Sequence, residues 1–511
     1  MNKEITLKDI YLGRADGSQE AEEYNFENFF YRGNNKYDLL NDDSSKFIIS
    51  GRKGTGKTIL AKYFEKEKNK EGIPTRILNK RELVLKMYLE KGRHELDRKE
   101  TELFIEYSLL CEMANILLDE KQKFFKLGNL FRAYYIYKNI KILENLVEKR
   151  FYGDNFKMDS FTTKTENEKN QQEKIGIKSC SETVAIRNSG TVDESYSQTP
   201  YFQIMNRIKK SLFYLMDIVP VNLIFDDLDE LDEKIDGNES LIKFLIDFLE
   251  VANALNNQIR NKKIKKSRVI ILIRSDIIKI LNENSSNLNK IIADSEIRLN
   301  WIKIDRSCEM HPLMELIVTK IKKSNSALKD LSNKEIMKRF FSEKINGIPV
   351  ISHMLNCSYG RPRDIINMLN IIKNEYPNKK YFNADLFKDT HQEYSNRFTD
   401  ELRNELSTHY EQRVIEECFQ IIHYIDKKSF WISDIENALN EKAEKLSYFK
   451  TKEQFADFAY KHGIIGNIWE VEGMNKKKNK FSWKYREDGS DMPDYNKKFA
   501  LHLGLRKTLL R

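Results

Sequence analysis

The sequence predicts an α/β protein built on a parallel sheet with a helical insertion, followed by an α-helical lid and a C-terminal winged-helix-like domain. Three observations predict it. The apolar run Lys46-Phe47-Ile48-Ile49-Ser50 leads into a glycine-rich loop, Gly51 to Thr58, and then into the helix-like Ile59 to Phe64. Two further runs, Val221 to Phe225 and Arg268 to Ile273, are near-continuously apolar and end in polar residues. Strands buried on both faces of a parallel sheet read this way. Helical stretches separate the runs, and that alternation is the signature of crossover-connected strands.

Residues 1–305 carry the sheet. The loop Gly51-Arg52-Lys53-Gly54-Thr55-Gly56-Lys57-Thr58 reads G-x-x-x-x-G-K-T, and its strand-loop-helix setting is the one a Walker A phosphate loop needs. Glycines let backbone N–H groups turn inward around an anion, and the helix that follows adds the positive end of its dipole. In this pattern Lys57 reaches the β- and γ-phosphates and the Thr58 hydroxyl holds Mg²⁺. Residues 81–220 read as an insertion. Glu102 to Leu118 and Gly128 to Glu148 are helical, and Asp154 to Thr199 is rich in polar residues. That polar stretch is either a disordered linker or, since Lys174 to Lys178 and Glu182 to Ile186 alternate, an insertion with a small hairpin. Tyr201 to Met216 is helical again.

The next run, Leu223-Ile224-Phe225-Asp226-Asp227, has the Walker B form of apolar residues followed by two acids. A buried strand would deliver Asp226 to the sheet edge beside the loop as a Mg²⁺ ligand, with Asp227 orienting the attacking water. An acidic helix cap is the plainer reading of the same acids. A helix is expected from Glu239 to Ile259 and a strand from Ile297 to Ile304. Arg274, ending the run from Arg268, would point between the two motifs and read the γ-phosphate; a surface arginine is the alternative.

Residues 306–400 form the lid, and His311 to Tyr394 reads as helices only. Within it, Tyr359-Gly360-Arg361-Pro362-Arg363-Asp364 opens a helix, with Pro362 in the first turn. From such a start Arg361 or Arg363 can swing onto a nucleotide phosphate. Residues 401–511 read as three helices (Glu411 to Ile425, Trp431 to Leu439, Lys452 to Gly463) and a late hairpin. Its turn holds Lys476, Lys477 and Lys478. This is either a wing that presses Trp469 and Trp483 onto a phosphate backbone or a protein-packing domain with a solvated lysine turn. His502, in a mostly apolar tail, reads as structural.

Charged residues make up 32% of the 511, and the net charge is +9, which permits nucleic-acid contact without demanding it. The five cysteines are scattered and form no C-x-x-C pair, against a zinc site or disulfide framework and in favour of a reducing compartment. The N-terminus has no apolar signal core, and the longest apolar runs are too short to span a bilayer. A cytoplasmic protein without membrane contact is expected.

Walker A, the Asp-Asp run, the strand ending in Arg-Ser and the Gly-Arg-Pro-Arg element stand in order, preceded by Tyr11-Leu12-Gly13-Arg14-Ala15-Asp16 with Glu20. The set resembles AAA+-related P-loop ATPases of the STAND and origin-recognition type, over most of residues 1–400. The resemblance implies ATP as the nucleotide, Gly13 and Arg14 as part of its site, a helical lid and often a winged helix. Asp227, where such proteins more often carry Glu, implies slow hydrolysis. The expectation is a Mg²⁺-dependent ATPase acting as a nucleotide-controlled switch. It would oligomerise on nucleotide binding and act through a separate protein effector, as in antiviral defence loci. The alternatives are an ATP-dependent binder of double-stranded DNA and an ATP-binding scaffold with little turnover.

Overall fold

The computed structural model describes residues 4–78, 98–125, 130–151, 201–226, 238–264, 266–302, 311–345, 347–441, 444, 446–472, 478–486 and 490–510. Asp227, Lys476, Lys477, Cys180, Cys308 and the hairpin expected within 174–186 lie outside the described residues.

Five strands form the central sheet: β1 (Ile48–Gly51), β2 (Thr75–Leu78), β3 (Asn222–Phe225), β4 (Arg268–Arg274) and β5 (Glu296–Arg298). Their order is β2-β3-β4-β1-β5, and all neighbours are parallel. The register pairs Gly51 with Arg274 and Phe225 with Ile271. β4 therefore lies between the strand that enters the glycine loop and the strand that ends at Asp226. β5 stops at Arg298, short of the strand expected to Ile304. Leu299 still donates its N–H to Ser50 O at 2.8 Å, but Leu299 and Trp301 turn into the interior.

Alternation along the strands sends successive side chains to opposite faces. Ile49, Ile224, Ile270 and Leu272 pack against α1 (Lys57–Lys70) and the short helices Phe26–Phe29 and Lys36–Asp42. Ile48, Leu223, Phe225, Val269 and Ile271 face the helices Arg98–Asp119, Tyr201–Ile218 and Glu239–Asn261. Both faces are thus covered, which is why these strands read as unbroken apolar runs.

Beyond the sheet lie α2 (Pro312–Ser324), α3 (Pro362–Glu375), α4 (His391–Leu406) and shorter helices between them. The segment is not helical throughout: Lys344–Ile345 (β6) and Ile348–Pro349 (β7) form a small antiparallel hairpin around Gly347, whose φ of +80° suits the turn. Helices Gln412–Ile425, Ile432–Glu441 and Lys452–Lys461 follow. With them comes an antiparallel sheet of order β10-β9-β11-β8, made of β8 (Ser429–Phe430), β9 (Ile465–Val471), β10 (Lys478–Ser482) and β11 (Lys498–Leu501). The helical segment and this last part share one hydrophobic core, which also takes in Leu7, Ile10, Leu12 and Trp301. Among the described residues no helix is long and apolar enough to cross a membrane.

Candidate nucleotide site

The loop 51–58 closes at the C-terminal end of β1 and ends as the first turn of α1. Gly54 (φ +81°) and Gly56 (φ +95°) supply the left-handed backbone that lets it reverse. A Cβ on Gly54 would lie 3.0 Å from Cβ of Arg363, so glycine also admits the close approach of α3.

Six consecutive loop carbonyls are engaged. Gly51 O accepts from Lys57 Nζ at 3.1 Å, and Arg52 O from the Thr55 hydroxyl at 2.8 Å and the Thr55 N–H at 3.2 Å. Lys53 O accepts from Arg361 at 3.0 Å, Gly54 O from the Arg363 N–H at 3.4 Å, and Thr55 O from the Trp301 indole N–H at 2.9 Å. Gly56 O accepts from the Leu60 N–H at 3.0 Å, inside the helix. The Thr55 N–H is spent within the loop, and the loop so held stands at the N-terminus of α1, where helix amides and the dipole favour an anion.

A cleft of about 310 Å³ lies at the loop. Lys53, Gly54, Gly56, Lys57 and Thr58 line one wall, and Asp226 and Arg274 line the sheet edge. Arg14 to Ser18 and, from α3, Pro362, Arg363 and Ile366 complete it. Asp226 is buried at the end of β3, its N–H bound to Leu78 O at 3.0 Å. Asp226 and Thr58 both line the cleft, and a carboxylate with a hydroxyl is a donor set of the type a hard divalent cation such as Mg²⁺ takes.

Other expected contributors sit differently. Arg361 does not reach the cleft: it is 1% exposed, clamped by Asp364 (3.0 Å) and Glu405 (2.8 Å) with Lys53 O between. Burial alone would lower its pKa; the two carboxylates outweigh that and raise it, so it stays a cation. Arg52 turns from the loop to Glu405 at 3.0 Å, with its guanidinium 4.8 Å from the Tyr359 ring centre. The Thr55 hydroxyl serves the loop itself, and Gly51 lies behind it.

Arg274 lines the cleft, yet its guanidinium is bidentate on Asp276 (2.6 and 3.1 Å) and donates to the Thr408 hydroxyl at 3.0 Å. Burial would raise the Asp276 carboxyl, but hydrogen bonds from His409 and Arg274 hold it far below the usual range. Arg363 lines the cleft while its side chain holds Ala15 O at 3.1 Å and the Glu401 carboxylate.

Gly13 (φ +96°) does not line the cleft either. It packs on the buried Glu20–Lys320 pair, where a Cβ would lie 2.7 Å from both charged groups. Arg14 lines the cleft and pairs with Glu23. The cleft-lining Gly17, Ser18 and Ile366, and Trp301 and Glu405 behind the loop, belong to no motif in the sequence.

In the C-terminal part Trp469 is paired with Lys480 across the β9-β10 ladder, and Lys497 lies 4.3 Å from its ring. Trp483 is buried, so it presents no surface to a phosphate backbone. His502 is buried too, packed on Tyr359 and Phe398, and its Nδ1 accepts the Gly504 N–H at 3.2 Å, a structural role.

Residues 311–403 match the family model of the FunZ-associated C-terminal helical domain. The match takes in Lys320, Arg361, Arg363 and Glu401; the loop 51–58, Asp226, Arg274 and Glu405 lie outside it. No curated protein matches the chain.

Proposed function

We propose that this chain is a Mg²⁺-dependent ATPase of the P-loop kind that works as a nucleotide-controlled switch. The observation that carries the reading is the row of six engaged carbonyls from Gly51 to Gly56 at the head of α1. A loop so held is ordered before any ligand arrives, which lowers the cost of binding an anion at the helix N-terminus. Lys57, whose Nζ lies on Gly51 O, supplies the cation for the β- and γ-phosphates. Thr58 and Asp226 would hold Mg²⁺, which when bound neutralises phosphate charge. Arg363 and Arg274 carry the transition-state charge once they leave their carboxylates. Exchange of those partners for phosphate is the structural content of the switch, because Arg363 belongs to α3 and Arg274 to β4.

Full-length protein with Mg²⁺ and ATP should turn ATP over. Lys57→Ala should lose both binding and turnover, and Asp226→Asn should keep binding but lose turnover about a hundredfold or more. Equal nucleotide affinity in wild type and Lys57→Ala refutes the reading.

One observation favours a second activity, binding of double-stranded DNA by the winged-helix-like part. Lys497 and Lys498 stand over Trp469 and Trp431 (4.3 and 5.4 Å), and Lys478 and Lys480 lie on the neighbouring β10. A salt-steep duplex affinity that is lost on Lys480→Ala/Lys498→Ala would support it; a duplex affinity unchanged by that pair would exclude this face.

A further inference from the structure

We propose that Glu405 is a positioning residue of the nucleotide site: it braces the loop 51–58 from behind and couples the loop to the C-terminal domain. The proposal rests on the nucleotide reading above. Glu405 is 7% exposed in the last turn of α4. One carboxylate oxygen accepts from Arg361 at 2.8 Å and the other from Arg52 at 3.0 and 3.3 Å. Arg361 is the residue that holds Lys53 O, and Arg52 is the loop's own side chain. Asp364 occupies the Nε and remaining NH₂ of Arg361, so Glu405 fixes the one arm that also serves the loop. Burial opposes ionisation of Glu405, but Arg52 and Arg361 keep its carboxyl well below the usual range.

Removing the charge releases Arg52 and leaves Arg361 anchored by Asp364 alone, so the arm that serves Lys53 O is no longer fixed from both sides. The 53–54 peptide can then turn its carbonyl toward the cleft, where it would face phosphate oxygens instead of an N–H doing so. The same short stretch holds Arg274. Thr408 accepts from Arg274, and His409 Nε2 lies 2.9 Å from Asp276, which also takes Arg274. Residues 405–409 thus grip three arginines around the loop, and Gln412 then opens the first helix of the C-terminal part. Tyr359 gives a second link, since Arg52 and Arg361 lie over its ring (4.8 and 5.0 Å) and it packs on Tyr485 and His502. A partner that shifts the C-terminal domain therefore acts on the loop through Glu405.

The test is titration of the full chain with a fluorescent ATP analogue and Mg²⁺, together with deuterium uptake by the peptide spanning Gly51–Thr58. Glu405→Gln should bind about tenfold more weakly. Arg52→Gln should weaken binding less, and the double variant should be no worse than Glu405→Gln alone. Uptake in the loop should rise in both single variants while β3 and β4 stay protected. Wild-type affinity with wild-type uptake in Glu405→Gln, or additive losses in the double, overturns the proposal. Should Glu405→Gln fail to fold, Arg52→Gln decides by its loop uptake, because its side chain is partly exposed. Equal binding by wild type and Lys57→Ala instead sinks the nucleotide reading, and loop uptake still reports on the brace.

Discussion

Lys320→Met should cost the fold about 3–5 kcal/mol, the toll of stranding a buried charge. Glu20 and Lys320 are 1% and 4% exposed and form an ion pair between the N-terminal segment and α2. At an effective dielectric of about 20, unit charges ~3 Å apart attract by roughly 5 kcal/mol, which offsets the desolvation of both. Methionine keeps most of the lysine stem's packing, so the loss is that of Glu20 left without its cation. Glu20 must remain polar because its other oxygen accepts the Arg14 N–H at 2.8 Å. Glu20→Gln/Lys320→Met keeps that acceptor and removes both charges, and should recover at least half of the loss. Urea unfolding followed by tryptophan fluorescence measures both. A single-variant cost below about 1 kcal/mol, or a double variant worse than the single, would refute the reasoning. Arg14 to Ser18 line the cleft, so the single variant should also weaken nucleotide binding.

Trp301→Phe keeps the ring's bulk but strips Thr55 O of its donor, at about 1–3 kcal/mol, and nucleotide affinity should fall by roughly fivefold or more; unchanged affinity in an analogue titration contradicts it. Acid should destabilise the protein from about pH 6.5 downward. Burial, the first cause in each case, depresses His353 to about 4, His462 to about 3, and His391 and His502 as well. Such groups bind protons in the unfolded chain near pH 6.5 but in the folded one only at lower pH, so their stabilisation is present above 6.5 and lost as pH falls. Asp247, pushed up to about 6 by burial, works in the opposite sense. The net is one to three protons, roughly 1.4–4 kcal/mol per pH unit near pH 5. Urea midpoints measured from pH 7.5 to 4.5 read the slope, and His462→Gln should lower it by about one proton; a flat profile contradicts the assignment.

The central sheet is legible where strands are buried on both faces, because β1, β3 and β4 leave unbroken apolar runs. β2 is not: it is an edge strand whose middle residues Arg76 and Ile77 are only half-buried, with Arg76 paired to Asp119. The helices between Gly17 and Asp42 are four to seven residues long, too short to show a period. The β6-β7 hairpin has two residues a side and vanishes inside a helical pattern. The glycine loop stands out for the opposite reason. Two of its residues need positive φ, so their spacing is dictated by backbone geometry and not by tertiary contacts.

Arginines are harder, since a side chain so long takes its role from whatever acid surrounds it. Arg361 and Arg363 stand two apart around Pro362, and residues so spaced at a helix start point to different sides. One must face the loop cleft when the other faces inward, and Asp364, three residues after Arg361, holds the Nε side of that guanidinium. Glu405 takes the remaining arm of Arg361 from 44 positions away. Yet Glu405 does leave a trace. Phe398, Leu402 and Leu406 mark the buried stripe of α4, and Glu405 falls seven residues after Phe398, on that stripe. An acid there cannot stay ionised alone. It demands buried cations, and Arg52 of the loop and Arg361 at the head of α3 meet it. The buried acid on an apolar helix face is therefore the feature from which the brace can be inferred, and the arginines follow from it.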